Sequence, residues 1–245
     1  MQNFIKHRYS VRKYLSKDIS NELLNELFET AFRASNTGNM QTYSVIITRD
    51  VKKKQELSPC HFNQTMIMEA PVVLTFCADF RRFSKWCELS NAKPAYNNFL
   101  SFFSAATDTL LAAQTFSTAA ESKGLGICYL GTTNYMAQEI IDILELPSLV
   151  IPITTITLGY PDEQPGQTDR LPVDGLIHYE TYNDNKDIKA MYAYKESLPE
   201  MQKFVLENEK ESLAQVFTDI RYNKNNNEAF SKRLLEVIKN QGFLF

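Results

Sequence analysis

Arg8-Tyr9-Ser10-Val11-Arg12 places two guanidinium groups and a hydroxyl at alternate positions of a five-residue run. In an extended chain, alternate side chains share a face, so Arg8, Ser10 and Arg12 would form a comb. Guanidinium forks match oxyanions with paired hydrogen bonds, which suits a phosphate or the polar edge of a ring. The same spacing also describes a solvated basic strand. Arg170, in Asp169-Arg170-Leu171-Pro172, could complete an anion site from far along the chain or be an ordinary surface arginine. Asn36-Thr37-Gly38-Asn39-Met40-Gln41 is rich in small polar groups. It suits amide and hydroxyl contacts to a ligand, and equally a routine turn.

Other chemistries are disfavoured. His7, His61 and His178 fall in unrelated segments with no acidic residue at metal-ligand spacing, and Cys60, Cys77, Cys87 and Cys128 include no C-x-x-C pair. No metal site is expected. There is no G-x-S-x-G elbow for nucleophilic hydrolysis. Gly124-x-Gly126-x-x-Tyr129 lacks the third glycine of a dinucleotide fingerprint and precedes a strand, whereas that motif follows one. These glycines are expected to end a helix through a left-handed residue.

The elements that must position these groups alternate along residues 1–180. Ser20 reads as an N-cap, with Glu22 in the first turn and Leu23, Leu24, Leu27, Phe28 and Ala31 on one helical face, ending near Ser35. Strands are expected at 44–48, at 72–77 just after Pro71, and at 153–158, with a short one after Gly126 and a helix over 136–144. Residues 96–122 predict the longest helix. Asp108 is the only charge between Lys93 and Glu121, and apolar residues cover more than one face, so the helix should be buried on nearly all sides, in part by a second subunit. Residues 181–245 predict a helical extension, with helices over 199–217 and 228–239 and an Asn-rich interruption at 223–227. The apolar end, Phe243 to Phe245, is expected to dock.

Composition fits this picture. In 245 residues there are 26 Lys and Arg against 29 Asp and Glu, a net charge of −3, which argues against binding driven by phosphate-backbone neutralisation. Hydrophobic residues at 44% allow a sizeable core, and 8 Gly with 9 Pro exclude collagenous or low-complexity character. The start, carrying Lys6, His7 and Arg8, has no apolar signal-peptide core, and the apolar stretch 99–120 is too polar to span a membrane. A reducing cytoplasm is the expected location.

The order of these motifs resembles the FMN-dependent nitroreductase superfamily, and within it the NADPH-preferring nitroreductases and flavin reductases. The likeness runs through residues 8–14 and 36–41, Gln64 ahead of Ala70-Pro71, Gly124-Leu-Gly126-Ile-Cys-Tyr129-Leu-Gly131, Leu158-Gly159-Tyr160-Pro161 and Arg170-Leu171-Pro172. It covers residues 1–180 well and the tail loosely. It implies an α+β fold, a mixed and mostly antiparallel sheet flanked by helices, in a homodimer with a long interface helix and swapped terminal segments. It also implies one functional domain, a core over 1–180 with 181–245 packing on it and on the partner.

By the same resemblance, Arg8 and Ser10 contact the FMN phosphate and ribityl chain, with Arg170 as the distant phosphate partner. Arg12 is the cation near the pyrimidine edge of the flavin, and Gln64 reads its N3 and O4 edge. Thr37, Gly38, Asn39 and Gln41 form a loop that reaches the flavin partly from the other subunit. Tyr129, Leu130, Gly131 and Thr132 lie along the ring, with backbone N–H groups near N5. The implied activity is ping-pong: NAD(P)H reduces FMN, and a nitroaromatic, a quinone or free flavin takes the electrons, with no side chain needed as a catalytic group. Other readings are reductive dehalogenation or flavin degradation on the same scaffold, or a flavin-binding helical dimer without turnover. Thr132 stands where the group commonly has a second Gly, and Thr168 where it has a Lys. A lost charge-assisted contact is worth roughly 1.5–3 kcal/mol, so weaker FMN retention is expected. Arg221 falls where the group contacts the NADPH 2′-phosphate; by itself it reads as a solvated arginine.

Overall fold

The structure is a computed structural model that describes residues 2–244. It divides into two compact units: one runs through Gly166 and takes in the stretch from Phe230 onward, and the other is Gln167–Ala229. The stretch from Phe230 onward thus belongs with the first unit.

The first unit contains helix α1 (Asn21–Ala31), strand β1 (Tyr43–Thr48), helix α2 (Val51–Leu57), strand β2 (Val72–Asp79) and helix α3 (Arg81–Leu89). Helix α4 (Phe99–Ser122), strand β3 (Gly126–Leu130), helix α5 (Ala137–Leu144) and strand β4 (Val150–Gly159) follow. The strands form one sheet in the order β1-β2-β4-β3. Among the described residues every pairing is antiparallel, in keeping with the mostly antiparallel sheet expected. Strands β2 and β4 are buried along their whole length. Pro152, which has no N–H to give a ladder, sits where the β2–β4 register shifts and beyond the reach of β3, which stops opposite Thr155.

Local chemistry sets the ends of the elements. The Ser20 hydroxyl accepts from the Leu23 amide at 3.1 Å and starts α1. The helix stops at Ala31, short of Ser35, because the amides of Arg33 and Ala34 tighten onto carbonyls three residues back. Asn98 caps α4 through the Ser101 amide. Gly124, at φ +78°, ends it as foreseen: its own amide bonds to the Glu121 carbonyl and that of Leu125 to the Ala120 carbonyl. Phe28 of α1 meets Phe116 of α4 at 4.8 Å between ring centroids. Around them, Leu24, Leu27, Ala113, Leu74, Ile127 and Ile156 fill the space between the helices and the sheet.

One face of α4 is uncovered. Phe99, Leu100, Phe103, Leu110 and Leu111 are all exposed, Leu100 at 74%. Phe243, in contrast, is fully buried in its own chain against Phe102, Phe80, Ile151 and Ile238, and the Leu149 amide bonds to the Gln241 carbonyl. So Phe243 docks on its own core; Phe245 lies outside the described residues.

The second unit holds helices α6 (Ile188–Ser197) and α7 (Pro199–Glu207). A single helix over 199–217 is not formed: Glu209 turns left-handed at φ +54°, and Ser212 then caps a new helical stretch through the Gln215 amide. The asparagines at 223–227 are not an interruption either. The Asn223 side chain accepts from the Asn226 amide and opens helix α8 (Lys224–Ile238), which crosses the divide between the units.

Candidate functional site

The Arg8–Tyr14 segment is held against the sheet by its odd-numbered neighbours. Val11 is buried and donates its amide to the Ile127 carbonyl at 3.0 Å. Tyr9 packs on the same cluster, and Arg8, Ser10 and Arg12 occupy the alternate positions of the segment. Tyr14 forms an isolated bridge to Pro161. Its phenol donates to the Val11 carbonyl at 2.6 Å and lies 2.7 Å from the Thr157 hydroxyl. Burial pushes that phenol above its ordinary range.

Two glycines make this docking possible. A Cβ at Gly126 would lie 2.6 Å from Val11 Cβ, and one at Gly159 would lie 2.6 Å from Tyr14 Cδ1. Gly126 and Gly159 face each other in the β3–β4 register.

At the front of the comb, Arg8 Nε meets both carboxylate oxygens of Glu121, at 3.1 and 3.2 Å, and Nη2 adds a contact at 3.0 Å. Both residues, with Phe4, His7, Leu125 and Pro161, line a cavity of about 230 Å³. The Ser10 hydroxyl makes no hydrogen bond among the described residues, and the exposed Arg12 side chain makes no ion pair among them. The Glu163 carboxylate accepts the Arg12 and Lys13 amides through one oxygen, at 2.5 and 3.2 Å.

A second cluster forms where β3 leaves the sheet. The Tyr129 side chain turns into the core and accepts from the Ser117 hydroxyl at 3.2 Å, and Leu130 is buried. What this segment presents is therefore its backbone. Gly131 opens a single 3₁₀ turn, Gly131–Asn134. The amides of Gly131 and Thr132 make no backbone hydrogen bond among the described residues, as expected at a helical start. A Cβ at Gly131 would meet open space. Beneath the turn, the Thr133 hydroxyl is fixed by the Leu130 carbonyl and the Thr155 hydroxyl.

His61 ties this turn to Gln64. Its Nδ1 lies 2.9 Å from the Thr132 hydroxyl, and its carbonyl accepts from Gln64 Nε2 at 3.0 Å. A carbonyl can only accept, so the Gln64 amide must give its NH₂ inward, which leaves Oε1 as the outward acceptor. Left-handed Phe62 and Asn63 make the tight turn between His61 and Gln64. Lys54, itself buried, holds the following stretch by donating to the Met68 and Ala70 carbonyls at 3.1 and 2.9 Å.

His61 is fully buried, and burial pushes its imidazole from 6.5 down to about 4. Between those values the unfolded chain binds the proton that the native chain refuses. Stability from the neutral imidazole is therefore complete above pH 6.5 and is lost as pH falls toward 4. The expected loss is about 3 kcal/mol over this window. Urea unfolding of the wild type and His61→Leu between pH 4 and 7 checks it; only the wild type should carry this increment.

The loop 36–42 is organised by a carboxylate and a guanidinium. Asp108, buried within α4, accepts from the Thr37 amide at 2.9 Å, the Thr37 hydroxyl at 3.0 Å and the Thr42 hydroxyl at 2.8 Å. Arg82 donates to the carbonyls of Gln41 and Tyr43. Gly38, Asn39 and Gln41 are all left-handed, and the Gln41 side chain curls back onto Asn39. The Thr37 hydroxyl and the Gln41 amide, expected to meet a ligand, here shape their own loop.

In the second unit, Arg170 Nη1 folds onto its own loop, to the Thr168 hydroxyl at 2.8 Å and the Asp169 carbonyl at 2.8 Å. Asp169 is in turn paired with Lys195 at 3.1 Å. Arg221 stacks over Phe204, 4.5 Å from the ring centroid, rather than standing free in solvent.

His61, Lys54, Arg82, Glu121 and Glu163 escaped the sequence reading. Asp108 was visible there only as the lone charge of an apolar helix, and that isolation was the one signal available.

A profile of the Nitroreductase family matches residues 5–160. An NAD(P)H-type FMN reductase of Bacillus subtilis is 34% identical over 197 residues, covering 79% of each chain. A solved structure of a candidate oxidoreductase from Bacteroides fragilis has a TM-score of 0.98 at 60% identity and covers 100% of both chains. The NADPH:FMN oxidoreductase of Vibrio harveyi, solved with NAD+, has a TM-score of 0.73 at 25% identity and covers 86% of this chain and 91% of its own.

Proposed function

The chain belongs to the nitroreductase family, and from that premise we propose that it is an FMN-dependent NAD(P)H oxidoreductase acting on nitroaromatics, quinones or free flavin. FMN, when bound, would supply the redox chemistry, hydride transfer from NAD(P)H and electron transfer to the acceptor. The observation that carries the reading is the convergence at His61, which joins Gln64 to the turn after β3. An outward amide oxygen, two unbonded backbone amides and open space at Gly131 suit a flat heterocycle with both donors and acceptors along one edge.

At the phosphate end, the proposal gives Arg8 and Ser10 the phosphate and ribityl contacts, Arg170, far along the chain, a further phosphate contact, and Arg12 the pyrimidine edge. Glu121 already holds two nitrogens of Arg8, so a dianion arriving there meets a carboxylate as well as a cation. That supports modest FMN affinity. Arg221, fixed over an aromatic ring, is proposed to meet the nicotinamide nucleotide.

The exposed face of α4 supports a homodimer, because contiguous apolar patches of this kind mark association surfaces. In that dimer the loop 37–41 is proposed to complete the partner's flavin site. The free, buried cysteines accord with a reducing cytoplasm. No helix among the described residues is long and apolar enough to cross a membrane.

Purified protein tests the reading. Bound FMN whose visible absorbance bleaches anaerobically with NADPH, and returns on adding a quinone or nitroaromatic, is the expected result. Protein that takes up no FMN and shows no FMN-induced thermal shift overturns it.

A further inference from the structure

The His61 ring presents an accounting problem. Its Nδ1 has the Thr132 hydroxyl, but Nε2 is buried and has no hydrogen-bond partner among the described residues. One nitrogen of a neutral imidazole carries hydrogen and the other is an acceptor. If Nε2 carried it, a donor would be buried unpaired, and buried orphan N–H groups are the rarer and costlier kind. If Nδ1 carries it, the orphan is only a lone pair. His61 then donates to Thr132, whose own hydroxyl proton must go elsewhere. Among the described residues that hydroxyl has no other partner.

Thr132 is half-exposed at the mouth of the turn, whereas His61 is sealed beneath it. We infer that His61 is a positioning residue: by donating to one of the two acceptor lone pairs of the Thr132 oxygen, it leaves the hydroxyl proton to be given outward, to the ring edge of the flavin. The inference rests on the proposed function, in which residues 129–132 line the flavin. The main-chain carbonyl of the same residue also sets Gln64. One buried residue thus orients a donor on one side of the ring edge and an acceptor on the other. A donor here stabilises negative charge, so it should favour reduced over oxidised FMN.

The tautomer is measurable without any flavin. Imidazole ¹⁵N shifts of the wild type near neutral pH should show hydrogen on Nδ1 of His61; hydrogen on Nε2 overturns the inference. With FMN loaded, Thr132→Val should lower the ratio of reduced to oxidised FMN affinity about tenfold, equivalent to about 30 mV for a two-electron couple. Thr132→Ser should keep the ratio. His61→Leu should lower it like Thr132→Val, whereas His61→Asn, which offers an N–H near the place of Nδ1, should restore most of it. Flavin-loaded Thr132→Val at the wild-type potential sinks this inference and leaves the proposed function standing. A wild type that takes up no FMN sinks both. If Thr132→Val does not fold, the tautomer and the His61 pair decide.

Discussion

Asp108→Ala should cost about 2–4 kcal/mol of stability and weaken FMN binding at least tenfold. Among the described residues the carboxylate is the only partner of three donors: the Thr37 amide, the Thr37 hydroxyl and the Thr42 hydroxyl. Each buried donor left without an acceptor costs about 1–3 kcal/mol. Thr42 is fully buried and cannot turn to water, whereas Thr37 is exposed and recovers part of its loss. The loop that the carboxylate holds carries three left-handed residues, Gly38, Asn39 and Gln41, conformations that persist only where their surroundings impose them. Released, it should sample other shapes, and a flavin site that depends on it should lose preorganisation. Asp108→Asn, which turns one acceptor oxygen into a donor, should fall between the two. Urea unfolding and flavin-fluorescence titration check these values. An alanine variant with wild-type stability and FMN affinity would remove Asp108 from the account.

Gly126→Ala should act on the phosphate end with similar force. The new methyl would stand 2.6 Å from Val11 Cβ and Cγ2, closer than any relaxed contact, and the Val11 amide bond to Ile127 prevents an easy retreat. Overpacking of this kind typically costs 1–3 kcal/mol. Displacing Val11 also displaces Ser10 and Arg12 on either side of it, and about 3 kcal/mol of lost binding is roughly a hundredfold in affinity. The sheet should survive, because the methyl collides with the segment laid over β3, not with β4. Val11→Gly in the same chain removes the colliding atoms. The double variant should therefore bind FMN better than Gly126→Ala alone, and a double-mutant cycle without coupling would refute this steric argument.

Much of the frame could be read from local chemistry. Ser20 and Gly124 act over three to five residues, and each closes a helix end where its type requires. The Arg8, Ser10 and Arg12 comb is legible for the same reason, since alternation is a property of neighbours. What escaped depends on pairs distant in sequence. Glu121 reaches Arg8 across 113 positions, and Asp108 reaches Thr37 across 71. His61 reaches Thr132 across 71 as well, so a solitary histidine between Cys60 and Phe62 gave no sign of its partner. The break at Glu209 was hidden because a left-handed glutamate has no compositional signature, unlike glycine.

The burial of Phe243 beside Phe80, Phe102 and Ile151 also bears on how the protein is made. These three aromatic and aliphatic neighbours leave the ribosome early, but their covering residue follows only after Gln167–Ala229 has been translated. At ~5–20 residues per second, that interval lasts several seconds. During it the nascent first unit carries an uncapped hydrophobic socket, a natural recruitment point for chaperones and the place where crowding on a polysome would do most harm.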